Sequence, residues 1–314
     1  MQRLGIGFLL VAAGAVLWGT DGLFRRALAF EMPAPAVVAW EHVILVVLTM
    51  PLLIRFLRNR PQLERKDLVA LLFVGAGASA VATIFFTQAF AYGDPTTPLL
   101  IQKTQPVIAV LGAYLLLGER LLPRYGWYFL FAVGGAYLIA FPDPSSVGVS
   151  RLAPALLALG AAALWGMGTV LGRHLTHKIP TQELTALRFA IGLPTALLIV
   201  LLRGEVGAVI DVSINQLWAL ALLSLVPGLA ALMIYYRGLS STPASSATLA
   251  ELAFPLTAIL IGWSVFDTVP TGTQWAGIAV LSATIIVMSR AAQKGAEALG
   301  VRALQPAVET GVSR

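Results

Sequence analysis

The chain has 314 residues, 58% of them hydrophobic and 11% charged, with a net charge of +6 and no cysteine. Soluble domains carry about 25% charged residues, so a water-soluble fold is excluded, as are disulfides and thiolate metal sites. The positive charge falls between apolar blocks, where it marks membrane orientation and not a nucleic-acid footprint.

Apolar blocks of about 20 residues cross a ~30 Å hydrocarbon layer as helices, because a lone span must satisfy its own backbone hydrogen bonds. The alternating ~10-residue strands of a membrane barrel are absent. In chain order, ten spans are predicted: 5–26, 34–54, 68–92, 96–117, 124–141, 153–173, 182–202, 215–237, 244–265 and 272–289. Pro33 and Pro35, the basic stretch from Arg55 to Asp67, Gly93-Asp94-Pro95, Pro243 and Asp267 to Pro270 mark breaks between them. Arg3, the apolar run and Ala13-Gly14-Ala15 resemble a signal peptide. A matching segment around Trp165 lies mid-chain and cannot be one, so the first block is expected to stay as a span. Residues 291–314 are polar, contain Pro306, and are expected to form a loosely ordered cytoplasmic tail.

With the N-terminus in the cytoplasm, 15 Lys and Arg fall on the cytoplasmic side and 4 on the other, the latter being Arg25, Arg26, Arg151 and Arg203. This bias places both termini in the cytoplasm.

The second half repeats the first. Residues 15–26 read AVLWGTDGLFRR and residues 162–173 read AALWGMGTVLGR, so Trp18-Gly19 returns as Trp165-Gly166. The offset of 147 also pairs Glu41 with Arg188, and from the third span an offset of 149 pairs Gln102 with Glu251 and Pro106 with Pro255. Five spans per unit is an odd number, so the units lie in opposite orientations. The expected fold is all-α, a polytopic membrane protein of ten transmembrane helices. Residues 1–147 form the first five-helix repeat, 148–290 the second, inverted one, and 291–314 the tail.

These marks, with Leu117-Gly118-Glu119-Arg120 closing the fourth span, resemble the EamA branch of the drug/metabolite transporter superfamily. Trp40-Glu41-His42 is most similar to the YddG type, exporters of aromatic and other amino acids. The resemblance covers about residues 4–290. It departs at Phe266-Asp267-Thr268, where a second Gly-Glu would be expected. It implies a secondary transporter of the bacterial cytoplasmic (inner) membrane. An amino acid is the expected small-molecule substrate, moved by alternating access, and a monomer is the expected state. Other carriers, for sugars, nucleotide sugars or organic cations, and a membrane enzyme using Glu41 and His42 as an acid/base pair, are the alternatives.

Ionisable groups inside a span are costly and so are candidate functional residues. The topology puts Asp21, Glu41 and Lys103 in the outer half, and Arg188 and Glu251 in the inner half. Asp21 or Glu41 would meet a substrate ammonium and Lys103 a carboxylate; helix-to-helix pairing without a transport role is the alternative. Lys103 is expected close to Asp21 or Glu41. Arg188 and Glu251 are expected to form an inner gating pair. His42 would relay protons or simply pack. Trp18 and Trp165, mid-span and repeat-related, are expected in a cavity formed by the first, third, fourth, sixth, eighth and ninth helices. Tyr92 and Gln102 are further candidates; Gln88, Gln102 and Gln105 add neutral hydrogen-bonding groups, and Gln102, Gln105 and Lys103 cannot all share one helix face. Trp127, Trp218 and Trp275 lie near span ends as interfacial anchors. No nucleotide, nucleophile or zinc motif is present, and no cofactor or metal is expected.

Overall fold

The computed structural model describes residues 3–59, 61–92, 98, 101, 102, 104–119, 121, 124–141, 143, 152–266 and 269–298. Among them the secondary structure is entirely helical. The first span is two helices, α1 (Arg3–Trp18) and α2 (Asp21–Glu31). Next come α3 (Ala34–Asn59), α4 (Arg65–Phe90), α5 (Gln105–Leu117) and α6 (Tyr125–Ala140). The second half holds α7 (Leu152–Leu175), α8 (Thr181–Leu202), the short α9 (Val206–Ile210) and α10 (Ile214–Leu239). It ends with α11 (Ala244–Ala250), α12 (Phe254–Phe266) and α13 (Gly272–Ala298). Among the described residues, six helical segments are long and apolar enough to cross a membrane, and shorter apolar helices accompany them. Exposed Leu115, Leu202, Trp127 and Trp218 on the outer surface suit contact with lipid.

Local signals explain several ends. At α4 the Glu64 N–H donates to Asp67 Oδ2 at 3.0 Å, satisfying an orphan donor. At α10, Ser213 Oγ accepts from the Gln216 N–H while the Ser213 N–H donates to Gln216 Oε1, a reciprocal cap. Gly118 ends α5 at φ +61°, a left-handed conformation that costs glycine little. That turn aims Glu119 at the start of α11. Its carboxylate accepts from the Ala244 and Ser245 N–H groups at 2.8 and 3.0 Å and from Ser245 Oγ at 2.9 Å.

Two helices contain π segments. Phe73–Val81 lies within α4 and Ser224–Ala230 within α10. Pro227 lacks the N–H that an α-helix needs, which accounts for the second. Such segments free a backbone carbonyl and often occur at functional sites.

Packing joins the halves at many points. α1 lies on the end of α10, α3 on α8, α5 on α7, and α6 on α13. The α6–α13 contact is backbone to backbone: a Cβ on Gly135 would meet Leu281 N at 2.9 Å, and one on Gly277 would meet Gly135 O at 2.8 Å. Glycine at both positions permits this approach.

Three expectations change. The first span does not end at residue 26 but breaks at Gly19-Thr20 and continues to Glu31. Arg25 therefore lies inside a helix and is 5% exposed, so it is not a loop charge. The last helix runs through residues 291–298, into the stretch expected to be loosely ordered; residues 299–314 lie outside the described residues.

Candidate solute-binding cavity

Where the two halves meet lies a cavity of about 500 Å³, within the range of small-molecule sites. Its walls come from α1, α2, α3, α4, α7, α8 and α10, together with Gln102, Gln105 and Pro106 and with Thr248, Glu251, Leu252 and Phe254. α3 and α8 contribute Glu41, His42, Arg188 and Phe189. The second and seventh spans thus join the six expected to surround it.

The chain is irregular where it meets this cavity. The first span is interrupted at Gly19-Thr20, and Thr20 Oγ1 donates to Leu17 O at 2.7 Å. Glu251–Ala253 forms a single 3₁₀ turn between α11 and α12. The two interruptions touch: a Cβ on Gly19 would collide with the Phe254 carbonyl. Helices broken at depth are tolerated where they face a cavity.

Aromatic rings from both halves form the apolar walls. Trp18 lies 4.9 Å from Tyr235, and Trp165 lies 5.0 Å from Phe86 in an edge arrangement. Phe90 and Phe254 add to them. Rings at such separations contribute beyond their buried area.

Charge is concentrated in two places. In the first, Arg25 Nε donates to Asp21 Oδ2 at 2.6 Å and Arg25 Nη2 to Glu41 Oε2 at 3.1 Å, with Arg25 Nη1 on Thr87 Oγ1 at 3.2 Å. Arg25 is thus the cation that serves both carboxylates. The sequence pattern counted it with the charges on the outer side, at the end of the first span, and its pairing was missed. The available signal was Asp21 four residues before Arg25, the spacing of neighbours on one helix face. Lys103, expected near Asp21 or Glu41, lies outside the described residues.

The second place is Glu251, 7% exposed. It accepts from Gln105 Nε2 at 2.6 Å, Thr169 Oγ1 at 2.9 Å and Tyr235 Oη at 2.8 Å. Arg188 faces the same cavity, yet Nη1 donates to Tyr236 Oη at 3.2 Å and Nη2 to Ala78 O at 3.0 Å. The Ala78 carbonyl belongs to the π segment of α4. The expected Arg188–Glu251 ion pair is therefore not formed in this structure, because neutral groups hold each side chain.

The other candidates divide. Trp18, Asp21, Glu41, His42, Gln102 and Trp165 all line the cavity, as does Gln105. His42 also packs tightly: Nδ1 lies 2.8 Å from Val38 O and Nε2 lies 3.0 Å from Ser79 Oγ. With both nitrogens occupied, it is poorly placed as a proton relay. Tyr92 is 40% exposed and does not line the cavity. The chain turns at Thr104 just before α5 begins, which lets Gln102 and Gln105 face one space. Among the described residues, no group of three or more His, Cys, Asp or Glu could hold a metal ion.

The sequence profile of the EamA-like transporter family matches this chain twice, over residues 5–141 and 152–290. The chain belongs to the EamA-like transporter family. It is similar to the riboflavin transporter ImpX of Fusobacterium nucleatum, 28% identical over 290 residues that cover 90% of this chain and 95% of that one. A riboflavin transporter of Rhizobium johnstonii is 27% identical, covering 91% and 92% of the two chains. The uncharacterized transporter YwfM of Bacillus subtilis is 29% identical, covering 91% and 94%. One solved crystal structure superposes with a TM-score of 0.69 at 19% identity, covering 94% of this chain and 99% of its own. That likeness concerns the fold alone. As an EamA-like protein the chain is a multi-pass membrane transporter. Two of these relatives are named riboflavin transporters and none of the three is named for amino acids, so the expected kinship with amino acid exporters narrows to the family.

Proposed function

We propose that this EamA-like protein is a secondary carrier of riboflavin or a similar flat heteroaromatic solute, working by alternating access. The carrying observation is the aromatic cavity between the halves, with Trp18 and Tyr235 on one side and Trp165 and Phe86 on another. Rings of this kind suit a planar aromatic solute, and the names of the relatives support the same class. The architecture proposed with it is ten spans in two inverted units, residues 1–147 and 148–290, in a bacterial inner membrane with both termini cytoplasmic. The double match of the family profile supports the two units; the Lys and Arg bias, 15 to 3 with Arg25 counted inside its helix, supports the orientation. A membrane enzyme is disfavoured by geometry: Glu41 is engaged by Arg25, and His42 by Val38 and Ser79.

A zwitterionic amino acid is the second reading. It is favoured by a guanidinium and a carboxylate, unpaired with each other, that face one cavity. Counterflow in proteoliposomes separates the two. Vesicles preloaded with riboflavin should accumulate labelled riboflavin, and excess tryptophan should leave that uptake unchanged. Counterflow of tryptophan without counterflow of riboflavin reverses the order of the readings.

A further inference from the structure

The hydrogen-bonding capacity left over in the cavity describes the polar edge of its ligand; this step rests on the cavity being the substrate site. Arg188 Nε is buried and has no hydrogen-bond partner among the described residues. Thr248 Oγ1, on a residue 1% exposed, and Gln102 Oε1 are in the same condition, and all three residues line the cavity. Buried polar groups are normally satisfied, so these point to a ligand or to the water that replaces it.

Counting sites narrows the ligand. A carboxylate offers about four lone-pair positions. Glu251 has three filled, by Gln105, Thr169 and Tyr235, which leaves room for one further donor. An ammonium brings three donors and would need two acceptors besides the one position left on Glu251, whereas a single N–H needs that position alone. Of the five N–H groups of the Arg188 guanidinium, one on each terminal nitrogen is engaged, by Tyr236 and Ala78, and Nε is the nitrogen without a partner among the described residues. A substrate carboxylate is best held by two parallel N–H groups from nitrogens free of other partners; the one unpartnered nitrogen, Nε, is enough for one carbonyl oxygen.

We infer that Arg188 and Glu251 read an uncharged amide edge on the substrate, Arg188 Nε donating to a ring carbonyl and Glu251 accepting from a ring N–H. A ring imide or lactam carries such an edge, and the pyrimidine ring of a flavin is one case. Thr248 and Gln102 are placed to serve the remaining carbonyl or the hydroxyls of a side chain. The two charged residues then act in selectivity and not as a gate latch.

The test uses the purified full-length protein and three probes: riboflavin, its N3-methyl derivative, which lacks the imide N–H, and tryptophan. Binding is read by quenching of flavin fluorescence, and tryptophan by displacement. Riboflavin should bind at least about tenfold tighter than the N3-methyl compound, because a site built around an N–H rejects the analogue lacking it. Steric cost of the methyl is separated by Glu251→Gln. In that variant riboflavin should weaken about tenfold while the N3-methyl compound changes little, so the two losses coincide instead of adding. Losses that add, or equal binding of both flavins to the unaltered protein, overturn the inference while leaving the flavin reading intact. The unaltered protein comparison stands even if Glu251→Gln fails to fold. Failure of riboflavin to bind at all, or tighter binding of tryptophan, overturns the flavin reading and the amide edge together.

Discussion

Gln105 Nε2 donates to Glu251 Oε2 at 2.6 Å, tying the start of α5 to the 3₁₀ turn between α11 and α12. Repeat alignment pairs Gln102, three residues before Gln105, with Glu251. The contact thus joins corresponding places in the two halves, each where the helix is irregular. Irregular backbone there presents polar groups to a cavity that regular helices would line only with side chains.

The aromatic walls carry the first prediction. Trp18→Ala and Trp165→Ala should each lower flux about tenfold, since each removes a large ring from the cavity. Trp127→Ala, at a site 61% exposed, should leave flux near the unaltered level. Flux per folded protein in proteoliposomes checks both. Equal loss in all three would remove the cavity rings from the transport path.

Arg25 carries the second. Arg25→Met leaves Asp21 and Glu41 close together without their shared cation. Removing one partner of a buried ion cluster destabilises by about 3–5 kcal/mol. Thermal unfolding in detergent should show a large drop in Tm. Adding Glu41→Gln to Arg25→Met should recover part of it, because one of the two stranded charges is gone. No recovery would mean that Arg25 acts by packing alone.

One face of the bundle is held by ties between the halves. Glu119 caps α11, His174 Nε2 lies 2.6 Å from Asp67 Oδ1, Arg55 lies 3.2 Å from Glu183, and Lys178 lies 3.2 Å from Glu64. Within the second half, Arg173 bonds the Leu239 and Ser240 carbonyls on the same face. Glu119→Ala should cost about 1–2 kcal/mol through loss of the cap. It should also increase labelling of a Thr169→Cys reporter from that face in this cysteine-free chain. Unchanged labelling would show that Glu119 only stabilises α11.

The Glu64–Lys178 tie sets a pH dependence. Hydrogen bonds from Lys66 and Lys178 hold the Glu64 carboxyl below its ordinary value of 4.5. The hydrogen bond to Glu64, with the charges of Asp67 and Glu64, holds the Lys178 ammonium above 10.5. A depressed carboxyl contributes stability that is full above its unfolded pKa and is lost as pH falls through the folded one. A raised amine contributes stability that is full below its unfolded pKa and is lost as pH rises through the folded one. Both contributions are therefore present between about pH 5 and 10 and fade outside it. In Lys178→Met the fall in Tm below pH 4.5 should be shallower than in the unaltered protein. Identical slopes would assign the acid sensitivity to other carboxyls.

Orientation is tested by Asn59→Cys at an exposed position. In whole cells it should resist an impermeant thiol reagent and react after the membrane is opened. Labelling from outside would invert the topology.

The sequence by itself determined the membrane class, the internal repeat and a short list of buried groups. Hydropathy and repeat spacing are properties of the linear chain, and the cost of burying charge depends little on which partner relieves it. So Trp18, Glu41, Gln102, Trp165, Arg188 and Glu251 could be singled out, and all line one cavity. Partnership needed the tertiary structure. Helical periodicity predicts which side chains share a face only while the helix continues, and here it stops at Gly19-Thr20 and again at Glu251. The first interruption begins a new helix at Asp21 and carries Arg25 inward, making it the counter-ion of Asp21 and Glu41. The second places Glu251 among three neutral donors, out of an ion pair with Arg188. Charge pattern alone could not choose between those partners, because every candidate was of suitable sign and depth. Only the placement of the broken helices settled which groups came within hydrogen-bonding distance.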